Sequence, residues 1–415
     1  MKILLVCPFY PPEGEIAALR IAEFAKHWAR AGHSVHVLTR EPLSTGTTPP
    51  EHTNIAITRV QDPLKRFSRD HSAQAQADSA PAGAVSRLRQ RLMRFGKSFI
   101  IPDIFVAWAF RALRSHPRRA QEYDVVVASG GPLSAILLGE RLARRAGATF
   151  VVDFRDPVAS NPMNPRGRLR TSIDTLLERR AVRHADVACT VGPSLASQLS
   201  EFHSRPIDVV MNGYDEETTL SPAPDTDATV LRIVYAGRIY PNNTEYRAVF
   251  LAARAINSAP SGFRVELHYF GRSSADFRDM AESCGADTYV VDHGEVSHDT
   301  SIAEQSRADL LLLLLWNDPR AVGVLGGKLF EYIGARRPIL MLGYQKGDAA
   351  AIVREGAFGL ASNSAEEIEG YLRGLAREKQ QGAISALTAA RALEFTREIQ
   401  SRTLLEKIQR TRDSL

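Results

Sequence analysis

In Gly326-Gly327-Lys328-Leu329-Phe330-Glu331-Tyr332-Ile333-Gly334, two glycines open a predicted helix just after an apolar strand and a loop. A helix that starts on glycine leaves its first backbone N–H groups uncovered and adds the positive end of its dipole. A diphosphate can sit on such an end. Lys328 adds a point charge there, and Glu331, one turn further on, can accept two hydrogen bonds from a ribose diol. Gly334-Ala335 ends the helix, and Pro338 introduces the next strand.

Other charged groups lie at predicted strand ends. Arg238, after Gly237, presents a guanidinium able to grip phosphate oxygens in a bidentate manner, with a structural ion pair as the alternative. Asp153, Arg155 and Asp156 crowd the loop after a buried strand. Burying three charges costs several kcal/mol unless they are paired, so the cluster is either an ion-pair brace or part of a wet site in which an aspartate orients a hydroxyl. Arg20 can reach phosphate or acceptor, or make a surface pair. Gly14, in Pro11-Pro12-Glu13-Gly14, permits close backbone approach to a ligand or simply makes a tight turn. Asn317-Asp318 follows the strand Asp309–Leu315 and is placed to bind sugar hydroxyls. His268, His293 and His298, like Cys7, Cys189 and Cys284, lack metal-ligand spacing, so neither a metal nor a cofactor is expected.

The elements that must position these groups alternate. Ile3–Val6 runs through a Pro/Gly loop into a helix with Ala17, Ile21, Phe24, Ala25 and Trp28 at helical spacing, and Val35 and Val37 restart a strand. Val125–Ala128, Ser129-Gly130-Gly131-Pro132, a helix carrying Ile136, Leu137, Leu138 and Leu142, and Thr149–Val152 repeat the pattern. A second series has strands at Arg232–Tyr235, Val265–Phe270, Thr288–Val291, Asp309–Leu315 and Ile339–Leu342, with helices starting near Glu245, Ser274, Thr300, Gly327 and Asp348. The prediction is an α/β protein of two doubly wound, parallel-sheet, Rossmann-like domains whose ligand lies in a cleft at the strand ends. Their predicted bounds are 1–214 and 230–395, with a linker at 215–229 and a C-terminal helix at 396–415 returning toward the first domain. Residues 66–84 are polar and small, and are expected to be mobile. The stretch 85–100 reads as a basic amphipathic helix, either peripheral on anionic lipid or an ordinary surface helix.

Composition sets the outer limits. The chain has 415 residues, 44% hydrophobic and 24% charged, as expected of a soluble globular protein with more than one core. A formal charge of +5 suits phosphate-bearing ligands or an anionic surface but is too mild to indicate nucleic acid. The first apolar run is too short for a signal-peptide core, and no stretch reaches the roughly 18 apolar residues of a membrane span. With unpaired cysteines, these features predict a cytoplasmic protein that starts at its first strand.

The Gly326–Leu340 stretch resembles the donor-binding element of glycosyltransferase family four. Pro11-Pro12-Glu13-Gly14, Asp153-Phe154-Arg155-Asp156-Pro157, Asn212-Gly213-Tyr214-Asp215, Tyr235-Ala236-Gly237-Arg238-Ile239-Tyr240 and Ala308-Asp309-Leu310-Leu311-Leu312 extend the likeness along nearly the whole chain. The resemblance implies a GT-B fold and a retaining, metal-independent transfer from a nucleoside-diphosphate sugar, UDP-sugar first, to an acceptor hydroxyl. Lipid-linked acceptors are included, and bacterial cell-surface polysaccharide or glycolipid synthesis is the implied setting. It assigns Gly14, Gly237, Arg238, Gly294, Asn317, Leu325, Gly326, Gly327, Lys328 and Glu331 to the donor, Arg20, Ser129, Asp153 and Arg155 to the acceptor, and Arg238, Lys328 and Asp156 to catalysis. Three family positions differ: a glutamate is replaced by Gly323, a lysine by a residue near Thr244, and a histidine by Ser129. A nucleotide-sugar-binding subunit without turnover therefore stays open as an alternative, as does glycosylation of a secondary metabolite. Epimerisation of a nucleotide sugar wants paired carboxylates, against which Gly323 speaks.

Overall fold

The computed structural model describes residues 1–13, 16–42, 54–64, 100–115, 123–161, 167–217, 227–239, 245–260, 262–272, 275–382, 384, 387 and 389–414. Gly14, Thr244, the segment 66–84 and, apart from Ile100, the predicted amphipathic helix 85–100 lie outside them, as does 218–226 of the predicted linker. The chain divides into two compact units, one of Met1–Val191, Leu195–Met211 and Ser401–Leu415, the other of Gly192–Ser194 and Asn212–Gln400.

The first unit is a parallel sheet. Its elements are β1 (Lys2–Val6), α1 (Ile16–Arg30), β2 (Ser34–Arg40), β3 (Ile55–Val60), α2 (Val106–Ser115), β4 (Val125–Gly130), α3 (Leu133–Ala146), β5 (Thr149–Phe154), α4 (Arg168–Val182), β6 (Val187–Thr190), α5 (Pro193–His203) and β7 (Asp208–Val209). The strand order is β3-β2-β1-β4-β5-β6-β7. Strand side chains alternate between faces, so every position of β1 from Ile3 onward is buried, on one side or the other. Leu4 and Val6 pack with Leu133, Ile136 and Trp108. Ile3 and Leu5 face Ile21, Phe24 and Trp28 of α1, together with Leu404, Leu405 and Ile408 from the end of the chain. The Trp28 indole N–H donates to the Ser401 carbonyl at 2.9 Å, and Lys407 pairs with Asp208 at 2.6 Å.

The second unit contains β8 (Val230–Ala236), α6 (Arg247–Asn257), β9 (Arg264–Phe270), α7 (Ala275–Ser283), β10 (Val290–Asp292), α8 (His298–Arg307), β11 (Leu310–Leu314), α9 (Gly327–Gly334), β12 (Ile339–Leu342), α10 (Asp348–Glu355), β13 (Gly359–Ala361), α11 (Ala365–Gln380) and α12 (Ala389–Leu393). The last helix, α13 (Arg397–Asp413), starts here and ends in the first unit. The sheet order is β10-β9-β8-β11-β12-β13, again parallel throughout. Asp309, at the start of β11, is buried with Lys379 of α11 at 2.6 Å and accepts the Arg232 backbone N–H at 2.8 Å. That pair ties the helix across two central strands.

Each sheet reverses strand order once, between β1 and β4 and between β8 and β11. Crossover connections leave such a switch point in opposite directions, which opens a crevice beyond the strands' C-terminal ends. The candidate residues cluster at these two edges.

Candidate functional site

In the second unit, β8 runs out into Gly237-Arg238. The Tyr235 hydroxyl turns back to donate to the Arg238 carbonyl at 2.8 Å, and the Gly237 N–H donates to Phe270 O at 3.0 Å. The turn is therefore fixed while the Arg238 side chain stays exposed. From the other flank of the switch, β11 leads through Asn317 to α9. Gly326 precedes that helix with φ of 67°, a conformation L side chains rarely adopt, and a Cβ there would lie 3.2 Å from Leu315 Cδ2. Having no side chain, Gly326 cannot cap the N–H groups of the first turn. Leu325, Leu329, Phe330 and Ile333 are buried, and the Tyr332 hydroxyl accepts the Ala236 N–H at 3.1 Å. Burial raises that phenol's pKa, keeping it neutral. The helix is thus anchored to the end of β8.

Lys328 Nζ lies 2.7 Å from Glu331 Oε2, and both side chains are part-exposed. Gln305 of α8, fully buried, donates through Nε2 to the same carboxylate oxygen at 3.4 Å and to Ser301 Oγ at 3.1 Å. Glu331 is held from behind, with Lys328 at its open side. Asn317 Nδ2 donates to Glu245 Oε1 at 3.2 Å. Asp318 caps a short 3₁₀ turn and binds Arg320, whose hydrogen bonds hold its carboxyl down to about 2. Gly294 follows β10, its carbonyl accepting the Gly271 N–H at 2.9 Å.

In the first unit the charged loop after β5 separates into two parts. Asp153 is fully buried and takes Arg20 Nη2 at 2.7 Å and Nε at 3.1 Å, while the same guanidinium donates to Val210 O at 2.8 Å and Met211 O at 2.9 Å. Burial alone would lower the pKa of Arg20, but the Asp153 carboxylate prevails and raises it. Ser129 Oγ donates to Asp153 Oδ2 at 3.4 Å. Of the two readings open for this cluster, the brace describes Asp153 and Arg20. Arg20, Asp153 and Ser129, the residues the resemblance implies for the acceptor, are buried together in this pairing.

Arg155 and Asp156 behave differently. The Arg155 guanidinium lies against Gly131, beyond β4, where an added Cβ would meet Nη2 at 3.2 Å. Its Nε is buried without a hydrogen-bond partner among the described residues, and burial lowers its pKa even with Asp153 and Asp156 opposing. This is a partly buried cation beyond the end of β4. Asp156 is exposed beside it. The loop after β1 is fastened by Arg40, which meets Glu13 Oε1 at 3.0 Å, and by Arg59, which donates to Pro11 O at 2.7 Å. Cys7 and Cys189 are buried and their pKa values rise, that of Cys7 to about 12, so neither is a ready thiolate.

Residues 17–214 match the family model described as a glycosyl transferase 4-like domain. Solved structures extend the likeness to the whole chain at the level of fold. HepE of Anabaena, solved with UDP and glucose, superposes with a TM-score of 0.60 at 16% identity, covering 99% of each chain. Sucrose-phosphate synthase of Thermosynechococcus elongatus gives 0.63 at 14% identity over 100% of both chains. The lipopolysaccharide outer core galactosyltransferase WaaB gives 0.58 at 13% identity over 98% of this chain and 99% of the other. No curated protein matches by sequence comparison. The two-domain Rossmann-like arrangement is that of the GT-B fold.

Some residues that shape the site were not singled out from sequence. Gln305 and Arg40 sit on elements named for other reasons, and only a polar residue at an apolar position of a helix or strand hinted at them. Arg272 did carry a signal: Tyr269-Phe270-Gly271-Arg272 repeats Tyr235-Ala236-Gly237-Arg238. His268 and His293 come together at 3.0 Å beside Glu266, yet no group of residues suited to a metal ion occurs among the described residues.

Proposed function

We propose that the chain transfers a sugar from a nucleoside-diphosphate sugar, a UDP-sugar first, to an acceptor hydroxyl, retaining the anomeric configuration and using no metal. The carrying observation is the Lys328–Glu331 pair on the uncapped helix α9, beside the β8/β11 switch. On this reading the diphosphate lies on the N–H groups of Gly327 and its neighbours, with Lys328 and Arg238 as counter-charges and Leu325, Gly326, Gly237 and Gly294 as walls it can approach. The ribose diol displaces Lys328 from Glu331, which frees the ammonium for phosphate. Asn317 takes sugar hydroxyls. The bond from the anomeric carbon to phosphate oxygen breaks, the acceptor oxygen takes that carbon on the same face, and its proton passes to the departing phosphate. Stabilising that departing charge is the main catalytic task. Arg155 and Asp156 are assigned to the acceptor, Asp156 orienting its hydroxyl. HepE, a relative in fold, binds UDP and UDP-glucose, which supports the choice of donor. The setting we assign is cytoplasmic, at the inner face of the membrane through the segment 85–100, in cell-surface polysaccharide or glycolipid synthesis with lipid-linked acceptors.

The test is release of nucleoside diphosphate from UDP-, GDP- and TDP-sugars, with and without lipid-linked acceptors, by native protein and Glu331→Ala. Turnover that falls about 10²-fold in the variant is expected for a lost transition-state contact. Gly323, where the family has a glutamate, favours a second reading: a donor-binding subunit without turnover. Tight donor binding with no release under any acceptor selects it. Turnover that survives EDTA supports the metal-independent chemistry.

A further inference from the structure

The second unit repeats one short device on neighbouring strands. β8 ends in Tyr235-Ala236-Gly237-Arg238 and β9 in Tyr269-Phe270-Gly271-Arg272. The two strands are parallel and in register, with Tyr235 opposite Tyr269 and Ala236 opposite Phe270. The tyrosine rings stack at 5.7 Å with planes 11° apart. Each hydroxyl donates to the carbonyl of the arginine three residues on, at 2.8 Å for Arg238 and 2.7 Å for Arg272. The Tyr269 hydroxyl also accepts the Ile239 amide, so one phenol joins both turns.

The turns touch through backbone. A methyl group on Gly271 would overlap the Gly237 carbonyl oxygen, and the Gly237 N–H donates to Phe270 O at 3.0 Å. Adjacent strands lie about 4.8 Å apart, so Arg238 and Arg272 follow the ends of neighbouring strands at matching positions. Both residues are exposed. A diphosphate offers two phosphoryl groups joined through one oxygen, and a guanidinium fork suits each.

We propose that Arg272 is a second diphosphate-binding residue, which with Arg238 forms a two-guanidinium clamp on the nucleotide, one arginine to each phosphoryl group. The inference rests on the donor site assigned above and adds a residue to it. Arg272 accepts the Tyr269 hydroxyl through its carbonyl, so that bond does not depend on its side chain.

Calorimetric titration of native protein, Arg272→Ala, Arg272→Lys and Arg238→Ala with uridine, UMP and UDP tests the clamp, with thermal melts confirming that every variant is folded. UDP affinity is expected to fall about tenfold or more in each alanine variant, as loss of a charge-assisted pair can cause. Uridine affinity stays unchanged, UMP falls less than UDP, and Arg272→Lys recovers part of the loss. UDP binding to Arg272→Ala that equals native, while Arg238→Ala loses it, overturns the clamp and leaves the donor site standing. Parallel weakening of uridine and UDP also overturns it, since Arg272 would then contact the base. Native protein that binds no UDP, GDP or TDP removes the clamp and the donor site together.

Discussion

Single residues at the two strand-end edges have separable jobs. Gln305 meets no ligand in our reading; it steadies the Glu331 carboxylate from a fully buried position. Gln305→Leu is expected to raise the donor KM several-fold with kcat little changed, while Glu331→Ala depresses both kcat and kcat/KM; steady-state kinetics over a range of donor concentrations separates them. Asp153 is the opposite case, a structural charge beside a functional loop. Asp153→Ala strands a buried guanidinium, and we expect a loss of about 3–5 kcal/mol by urea unfolding, the range for breaking one side of a buried pair. Arg155→Ala should leave the unfolding midpoint near native and weaken acceptor use, because the Arg155 Nε has no hydrogen-bond partner among the described residues to lose. None of these roles follows from residue type. Asp153 and Arg155 lie two positions apart in one charged motif, but Asp153 lies within the buried strand β5 and Arg155 follows its end.

At the scale of elements, α4 runs against the usual pattern. Its buried residues include Asp174 and Glu178, while Leu169 and Leu176 are 77% and 69% exposed. Glu178 accepts the Ala159 N–H at 2.7 Å and faces His203 at 3.0 Å, and Asp174 takes Arg170 at 2.9 Å. Hydrophobic periodicity cannot find a helix whose inward face is acidic, and no helix was read there. The pattern has a measurable consequence. Leu176→Ser should change stability by less than about 0.5 kcal/mol, as at ordinary surface sites. Glu178→Ala should cost about 3 kcal/mol or more, since it leaves a buried N–H and His203 unmatched. Chemical denaturation of the pair checks the inversion. β3 and β13 were also not read, the first an edge strand with mixed burial, the second three residues long. By contrast β1, β4, β5 and β11 are almost wholly buried, and their continuous apolar runs were legible.

For the whole molecule, the end of the chain belongs to the unit that begins it. Leu404, Leu405 and Ile408 complete the core around Trp28. Each buried side chain of this kind contributes about 1.5–3 kcal/mol. Truncation after Gln400 is therefore expected to lower the first unit's melting transition by about ten degrees or more while UDP binding by the second persists; calorimetry with and without UDP reads both. A single transition moving as one body would contradict that assignment. The alternation of strand and helix, glycine-opened turns and the Gly326–Glu331 motif were determined by sequence alone, because periodicity, glycine conformation and helix ends are local properties. Sequence also contained both Tyr-x-Gly-Arg segments, yet nothing local makes them neighbours. Tertiary structure alone decided that β8 and β9 lie in register, that Arg20 meets Asp153 across the fold, and that Gln305 backs Glu331, because each needs strand order and helix packing to bring distant residues to one edge.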